Sequence, residues 1–178
     1  YFHFTLQNLL NWGKGQIKGH KFSAVALIVR AEIDAILDFF KLSFQDKSLY
    51  AVNLVDSGLY VMADQDQLGV ILRNLISNAS KFSPIGGLIR IEASSYEEYV
   101  SISIRDFGAG MSRSDLNKLN NATEPFSKTG TQGEKGTCLG LILCKELFQE
   151  NKGTLLVESE LEEGTTFTII LPAKMPKP

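Results

Sequence analysis

Hydrophobic positions recur along this chain in two rhythms, one helical and one alternating, and these divide it into helices and strands. Phe2, Leu6, Leu9, Leu10, Gly13 and Ile17 make a first helical stripe over residues 1–18, which Gly13, Gly15 and Gly19 progressively weaken. No capping residue precedes Tyr1, so the segment reads as the end of a helix that belongs to something larger. A second amphipathic helix is expected over residues 24–45, with Leu27, Ile28, Ala31, Ile33, Ala35, Ile36, Phe39 and Phe40 inward. Short strands follow at 49–54 and 59–63. The third helix, about 66–82, places Leu68, Ile71, Leu72, Leu75, Ile76, Ala79 and Phe82 on one face, and Pro84 with Gly86 and Gly87 ends it. Two alternating strands come next: Ile89, Ile91 and Ala93 face inward on one, Val100, Ile102 and Ile104 on the other. Residues 107–138 are rich in Gly, Ser, Thr, Asn and Lys, and a loop of that length inside a domain reads as a functional lid. A helix from near Leu139 to about Asn151, stopped by Gly153, and strands at 154–160 and 165–171 complete the pattern. About three helices against one mixed, mainly antiparallel sheet make an α+β two-layer sandwich, preceded by the helical stub.

The third helix breaks its own pattern. Residues 74–84 read Asn-Leu-Ile-Ser-Asn-Ala-Ser-Lys-Phe-Ser-Pro, and Asn74, Asn78 and Lys81 project from one stripe. Two carboxamides and an ammonium offer neutral oxygen ligands and a point charge, which suits a hydrated divalent metal beside phosphate. An ordinary solvated helix edge is the plainer reading, and the segment by itself leaves both open.

Composition narrows the setting. The chain has 178 residues, 44% of them hydrophobic and 21% charged, enough for one domain with a core. A formal net charge of −2 with no basic block gives no electrostatic ground for a nucleic-acid or membrane-surface partner. The longest apolar runs, 24–29 and 139–144, are too short to span a bilayer, and the first residues lack the charged start of a signal peptide. Cys138 and Cys144 lie in one expected helical segment at a spacing that turns them apart, which favours a reducing, cytoplasmic compartment over a mutual disulfide. Whether the parent protein is membrane-anchored stays open.

Two further segments carry chemistry. Asp106-Phe107-Gly108-Ala109-Gly110 follows an apolar strand; the acid can accept a hydrogen bond from an exocyclic amine, and the glycines let backbone approach a flat ring. Alone, such a motif usually marks a tight turn. Gly133-Glu134-Lys135-Gly136-Thr137-Cys138-Leu139-Gly140-Leu141 leads into a helix, where free N–H groups and the macrodipole favour an anion. Plain capping would produce the same composition. The segment fits neither a P-loop nor a dinucleotide-binding fingerprint.

Taken in order, the Asn-bearing helix, the Asp106 loop, Glu124-Pro125-Phe126 and the Gly-rich helix start resemble the N, G1, F and G2 boxes of sensor histidine kinases. These belong to the gyrase/Hsp90/histidine-kinase/MutL ATP-binding superfamily. The resemblance covers about residues 20–172, and four motifs in the right order make it specific. It implies a Bergerat-type ATP-binding domain over 21–178 with a flexible ATP lid at about 107–138, and ATP and Mg²⁺ as cofactors. By this resemblance Asn78 ligates Mg²⁺ with Asn74 supporting it, Lys81 contacts phosphate and Phe82 packs on the nucleotide. Asp106 binds the adenine amine, Gly108 and Gly110 line the base, and Thr165 lies near it. Gly136, Thr137, Cys138, Leu139, Gly140 and Leu141 wrap the phosphates. Superfamily members that hydrolyse ATP carry a glutamate at the position of Asn74; a carboxamide cannot act as that base. ATP is therefore expected to be held for transfer.

The same resemblance makes residues 1–20 the linker and the end of the second helix of a dimerisation and phosphoacceptor hairpin. The implied partners are the rest of that hairpin and a response-regulator receiver domain. The full-length protein is expected to be a homodimer and this piece a monomer. His3 and His20 do not fit the acceptor position and read as surface or packing residues. One departure stands out: Cys138 occupies a position where the family usually has glycine. It is the sole support for a degenerate nucleotide-binding or interaction module. A serine kinase of the anti-sigma type is a further rival, against which the hairpin stub argues.

Overall fold

The computed structural model describes residues 22–120, 130–131, 133 and 139–174; the expected stub at 1–18 lies outside them. In chain order the elements are β1 (Ala24–Ile28), α1 (Val29–Asp46), β2 (Tyr50–Asn53), β3 (Tyr60–Asp64), α2 (Gln65–Phe82) and β4 (Leu88–Tyr96). Then come β5 (Tyr99–Asp106), α3 (Arg113–Asn120), α4 (Leu139–Glu150), β6 (Thr154–Glu160) and β7 (Gly164–Pro172). Five strands form one mixed sheet in the order β2-β4-β5-β7-β6, in which β2 and β4 are parallel and every other pair is antiparallel. Ile89, Ile91, Val100, Ile102, Ile104, Phe167, Ile169 and Leu171 point from this sheet into a single core shared with the helices. Arg90, Glu92, Ser101, Ser103 and Arg105 alternate with them on the other, wetter face. The α+β sandwich is as expected from the sequence.

The start of the chain differs. Residues 24–28 form a strand, not the first turns of a helix, because β1 pairs antiparallel with β3 from Ala24↔Asp64 to Ile28↔Tyr60. The two make a separate two-stranded sheet, where the sequence pattern had placed all strands in one. The Val29 amide donates to Leu59 O at 3.0 Å, which ties the helix start to the strand pair. Starting later also turns the helix. Its buried stripe is Val29, Ile33, Ile36, Phe40 and Phe44, while Ile28, Ala31, Ala35 and Phe39, expected inward, are exposed. A continuous apolar run cannot separate a strand from a helix by periodicity, and pairing with β3 decides it.

Helix α2 is the central element, packed on α1, α4 and β5. Its N-cap is Asp64, whose Oδ1 accepts from the Gln67 amide at 3.1 Å while Oδ2 accepts from the Ser23 amide at 3.1 Å. Buried Asn151, just past α4, closes the same end. Its Oδ1 accepts from the Asp64 amide at 2.8 Å, and its Nδ2 donates to Gln67 Oε1 at 2.6 Å and Leu147 O at 2.8 Å. One carboxamide therefore joins the end of α4 to the beginning of α2. Asn151→Ala leaves the buried Asp64 amide without an acceptor, so a loss of about 1–3 kcal/mol is expected in urea unfolding. An unchanged midpoint would mean that these bonds add nothing beyond what water replaces.

Candidate functional site

The polar stripe of α2 lies where the helix meets the Asp106 loop and α4. Asn74 is buried; its Nδ2 donates back to Val70 O at 2.9 Å, which leaves Oδ1 directed away from the helix backbone. Gly140 sits against that oxygen: a Cβ on Gly140 would come within 2.5 Å of Asn74 Oδ1, so a larger residue there would force the Asn74 carboxamide to move. Asn78, one turn on, is half-buried, and its carboxamide makes no hydrogen bond among the described residues. Lys81 is buried to 4% exposure, with Nζ 4.9 Å from the centroid of the half-buried Phe82 ring.

Asp106 closes β5 at 1% exposure. Its Oδ1 accepts from the Gly108 amide at 3.0 Å and the Thr165 amide at 3.3 Å, while Oδ2 has no partner among the described residues. Burial pushes the carboxyl up to about 6 against the pull of these two amides and of the Arg105 charge. Thr165, opposite Asp106 in the β5–β7 register, shares a 2.9 Å hydroxyl contact with Ser159. The glycines of the loop serve packing as much as any ring. A Cβ on Gly108 would fall 2.0 Å from Phe82 O, and one on Gly110, at φ +59°, 1.8 Å from Glu160 O. The Ala109 amide donates to Phe82 O at 3.2 Å, and the Glu162 amide to Ala109 O at 2.9 Å. The loop is thus stitched to α2 on one side and to the β6–β7 turn on the other.

The segment expected as a long, flexible lid loop contains a helix. In α3, Ser112 Oγ accepts from the Asp115 amide at 3.1 Å as an N-cap, Leu119 is buried, and Lys145 from α4 donates to Leu119 O and Asn120 O at 3.2 and 3.3 Å. The Ser112-to-Asp115 spacing was the signal for it. Thr131 is tied to the far end of α2: its amide donates to Lys81 O at 3.2 Å, and its hydroxyl lies 2.8 Å from Ser83 O and 3.1 Å from Lys81 O. Buried Lys47, which the sequence pattern did not single out, donates to Ser80 O at 2.9 Å and Lys81 O at 3.0 Å. Of the Gly-rich start, Leu139 and Gly140 open α4 and Leu141 packs partly buried against the core. Glu124, Pro125, Phe126, Gly136, Thr137 and Cys138 lie outside the described residues. Cys144 is fully buried, and burial pushes its thiol up to about 12, an inert packing residue.

The site therefore brings a carboxamide stripe, a buried carboxylate with one oxygen unpartnered among the described residues, and the start of α4 at Leu139 and Gly140 together on α2. The family model described as "Histidine kinase-, DNA gyrase B-, and HSP90-like ATPase" matches residues 63–175, which include every one of these groups. The chain belongs to this family. Relatives among known proteins are sensor histidine kinases, and the chain corresponds to the ATP-binding catalytic domain of such kinases. The chain is 33% identical over 171 residues to sensor histidine kinase WalK of Bacillus subtilis, covering 95% of this chain and 28% of that protein. It is 39% identical over 116 residues to histidine protein kinase DivJ of Caulobacter vibrioides, covering 64% of this chain and 19% of that protein. The chain thus spans less than a third of these relatives' length. The catalytic domain of histidine kinase ThkA shares the fold with TM-score 0.72 at 22% identity, covering 85% of this chain and 96% of that one. ThkA in complex with the response regulator TrrA superposes with TM-score 0.71 at 22% identity, covering 95% of this chain and 48% of that one.

In this kinase-family site the raised Asp106 carboxyl has a consequence for stability. Its folded value, about 6, lies above its ordinary 3.8, so the folded state holds the proton more tightly. The stability this gives is fully present below pH about 4, falls as pH rises through about 6 and is absent above. Asp106→Asn keeps an acceptor oxygen for Gly108 and Thr165 without the charge. The nucleotide-free variant is expected to be more stable than the parent at pH 8 by about 1–3 kcal/mol, with the gain shrinking toward pH 4. Thermal unfolding across that range checks it; a variant less stable at pH 8 would show that the amides need the charge.

Proposed function

We propose that this domain binds Mg·ATP and presents the γ-phosphate to a histidine in the first helix of the phosphoacceptor hairpin, which is neither His3 nor His20, for onward transfer to an aspartate of a response-regulator receiver domain. The observation that carries the reading is Asp106. A buried carboxylate with one oxygen fixed by two amides and the other unpartnered among the described residues is built to accept a donor, and the adenine amine supplies one. Lys81 reaches phosphate as a point charge, and the helix start at Leu139 and Gly140 supports phosphate binding by the Gly136–Thr137–Cys138 segment before it. Phe82, Gly108, Gly110 and Thr165 line the base.

The donor set fits a hydrated Mg²⁺. Asn78 offers a neutral oxygen uncommitted among the described residues, suited to an ion that keeps several waters. Asn74, with Oδ1 against Gly140, is better placed to support that ligand than to act as a second one. Bound there, the ion would neutralise charge on the phosphate oxygens. Asn74 does not act as a hydrolytic base: it is a carboxamide whose Nδ2 is committed to Val70 O. Transfer then rests on positioning and charge neutralisation. Among the described residues no helix is long and apolar enough to cross a membrane. We place the domain in the cytoplasm, where ATP is available, whether or not its parent is anchored. The parent is proposed to dimerise through the hairpin of which residues 1–20 are the end, with this domain alone monomeric.

Calorimetric titration tests the site. Asp106→Asn is expected to weaken ATP binding by about 1.5–3 kcal/mol, roughly 10- to 150-fold, through loss of a charge-assisted bond. Because only the ionised carboxyl accepts freely, affinity of the parent should fall as pH drops below about 6. Equal affinity in the variant would remove Asp106 from the base site.

Asn78→Ala should cost more with Mg·ATP than with metal-free ADP. An equal loss for both ligands would mean that Asn78 only shapes the pocket. For the transfer itself, supply of a hairpin carrying the acceptor histidine should yield an acid-labile phosphate; an acid-stable one would favour a serine-directed kinase.

A further inference from the structure

The sequence Lys81-Phe82-Ser83-Pro84 creates a problem at the end of α2. In a continuing helix the Ser80 carbonyl would accept from the amide of residue 84, but proline has none. The carbonyls of Ser80 to Ser83 therefore reach the helix end needing partners from elsewhere, at the negative pole of the macrodipole. Every one of them is taken, and by three different parts of the chain. Ser80 O and Lys81 O accept from Lys47 Nζ, Lys81 O and Ser83 O from Thr131, and Phe82 O from the Ala109 amide of the Asp106 loop. Lys47 grips the following turn a second time, because its own carbonyl accepts from the Gly86 amide at 3.1 Å.

We infer that Lys47 is a positioning residue for the nucleotide site: it touches no ligand, but holds the last turn of α2 in the one orientation that serves Lys81, Phe82 and the Asp106 loop together. A surface lysine on a helix end would be replaceable. This one is 4% exposed, and a buried ammonium persists only where it is fully bonded, so its geometry is fixed. It is the countercharge and the replacement donor at once. The carbonyl row it fixes sets where Lys81 leaves the helix and how far Gly108 can close on Phe82 O. The inference rests on the ATP-binding reading above, and the test separates the two.

Lys47→Met removes the charge at similar length. Its Mg·ATP affinity is to be compared with the parent, with Lys47→Arg, and with Ile33→Val and Ile33→Ala, which bracket a stability loss at a buried α1 position away from the turn. Outer-shell partners of metal-ligating residues typically cost about 10- to 100-fold when removed, and a group that orients a binding residue from behind is set on the same scale. Lys47→Met is expected to weaken Mg·ATP by about 10-fold or more, Lys47→Arg to recover part of it, and the Ile33 variants to bind as the parent does at temperatures where all are folded. In the nucleotide-free protein, amide exchange at Ala109 should quicken in Lys47→Met, while exchange at Asp64, at the opposite end of α2, should not. If Lys47→Met fails to fold, Lys47→Gln takes its place in both measurements. Affinity and Ala109 exchange that merely follow stability, as in the Ile33 variants, would overturn the positioning role. A parent that binds no ATP would instead overturn the function proposed above, and the exchange measurement would still judge Lys47.

Discussion

The end of helix α2 is the constraint on which the rest of the site depends. Pro84 stops the helix abruptly, and a helix end buried in a domain must find donors for its last carbonyls. Here the donors come from the α1–β2 junction, from the Asp106 loop and from the segment around Thr131, so satisfying backbone polarity also assembles the site. Structural need and functional placement coincide at one turn. The opposite end of α2 is handled by the same means, with Asp64 and Asn151 meeting its free amides and those next to it.

Against this scaffold the Asp106 carboxylate is the group the fold tolerates at a cost. Desolvation raises it toward the protonated form, and two amides and a nearby arginine offset only part of that. A residue chosen for stability alone would be neutral here. An acid held at such a cost marks a functional-site candidate, and under the proposed function the adenine amine would bring a donor to its second oxygen. The same division separates the two asparagines. Asn74 is bonded to its own helix and pressed by Gly140, a support; Asn78 is left uncommitted among the described residues.

Close backbone approach is the second device. Gly108 against Phe82 O and Gly110 against Glu160 O each admit a backbone neighbour that any side chain would exclude, and Gly140 lets α4 come against the Asn74 carboxamide without displacing it. In the sequence these glycines point to a flat or phosphorylated ligand. In the structure each already has a protein atom to accommodate, so the motif serves at least in part to hold the walls of the site together.

The sequence by itself determined the sandwich class, the alternating strands, the span of α2 and the motif order that marks a histidine-kinase ATP-binding domain. Each of these is a local or additive signal: a period of 2 or 3.6, a proline, a glycine at a fixed offset. The tertiary structure decided what depends on partners remote in the chain. Pairing with β3 made residues 24–28 a strand and turned Ala31, Ala35 and Phe39 outward, because an apolar run does not state its own periodicity. Lys47 looked like any lysine after a helix; only the fold brings it under Ser80 and Lys81, more than thirty residues away, where a proline had removed the donor. Hydrogen bonds between distant residues leave no period in a sequence, and for that reason the supports of the site were invisible while the motif residues were not.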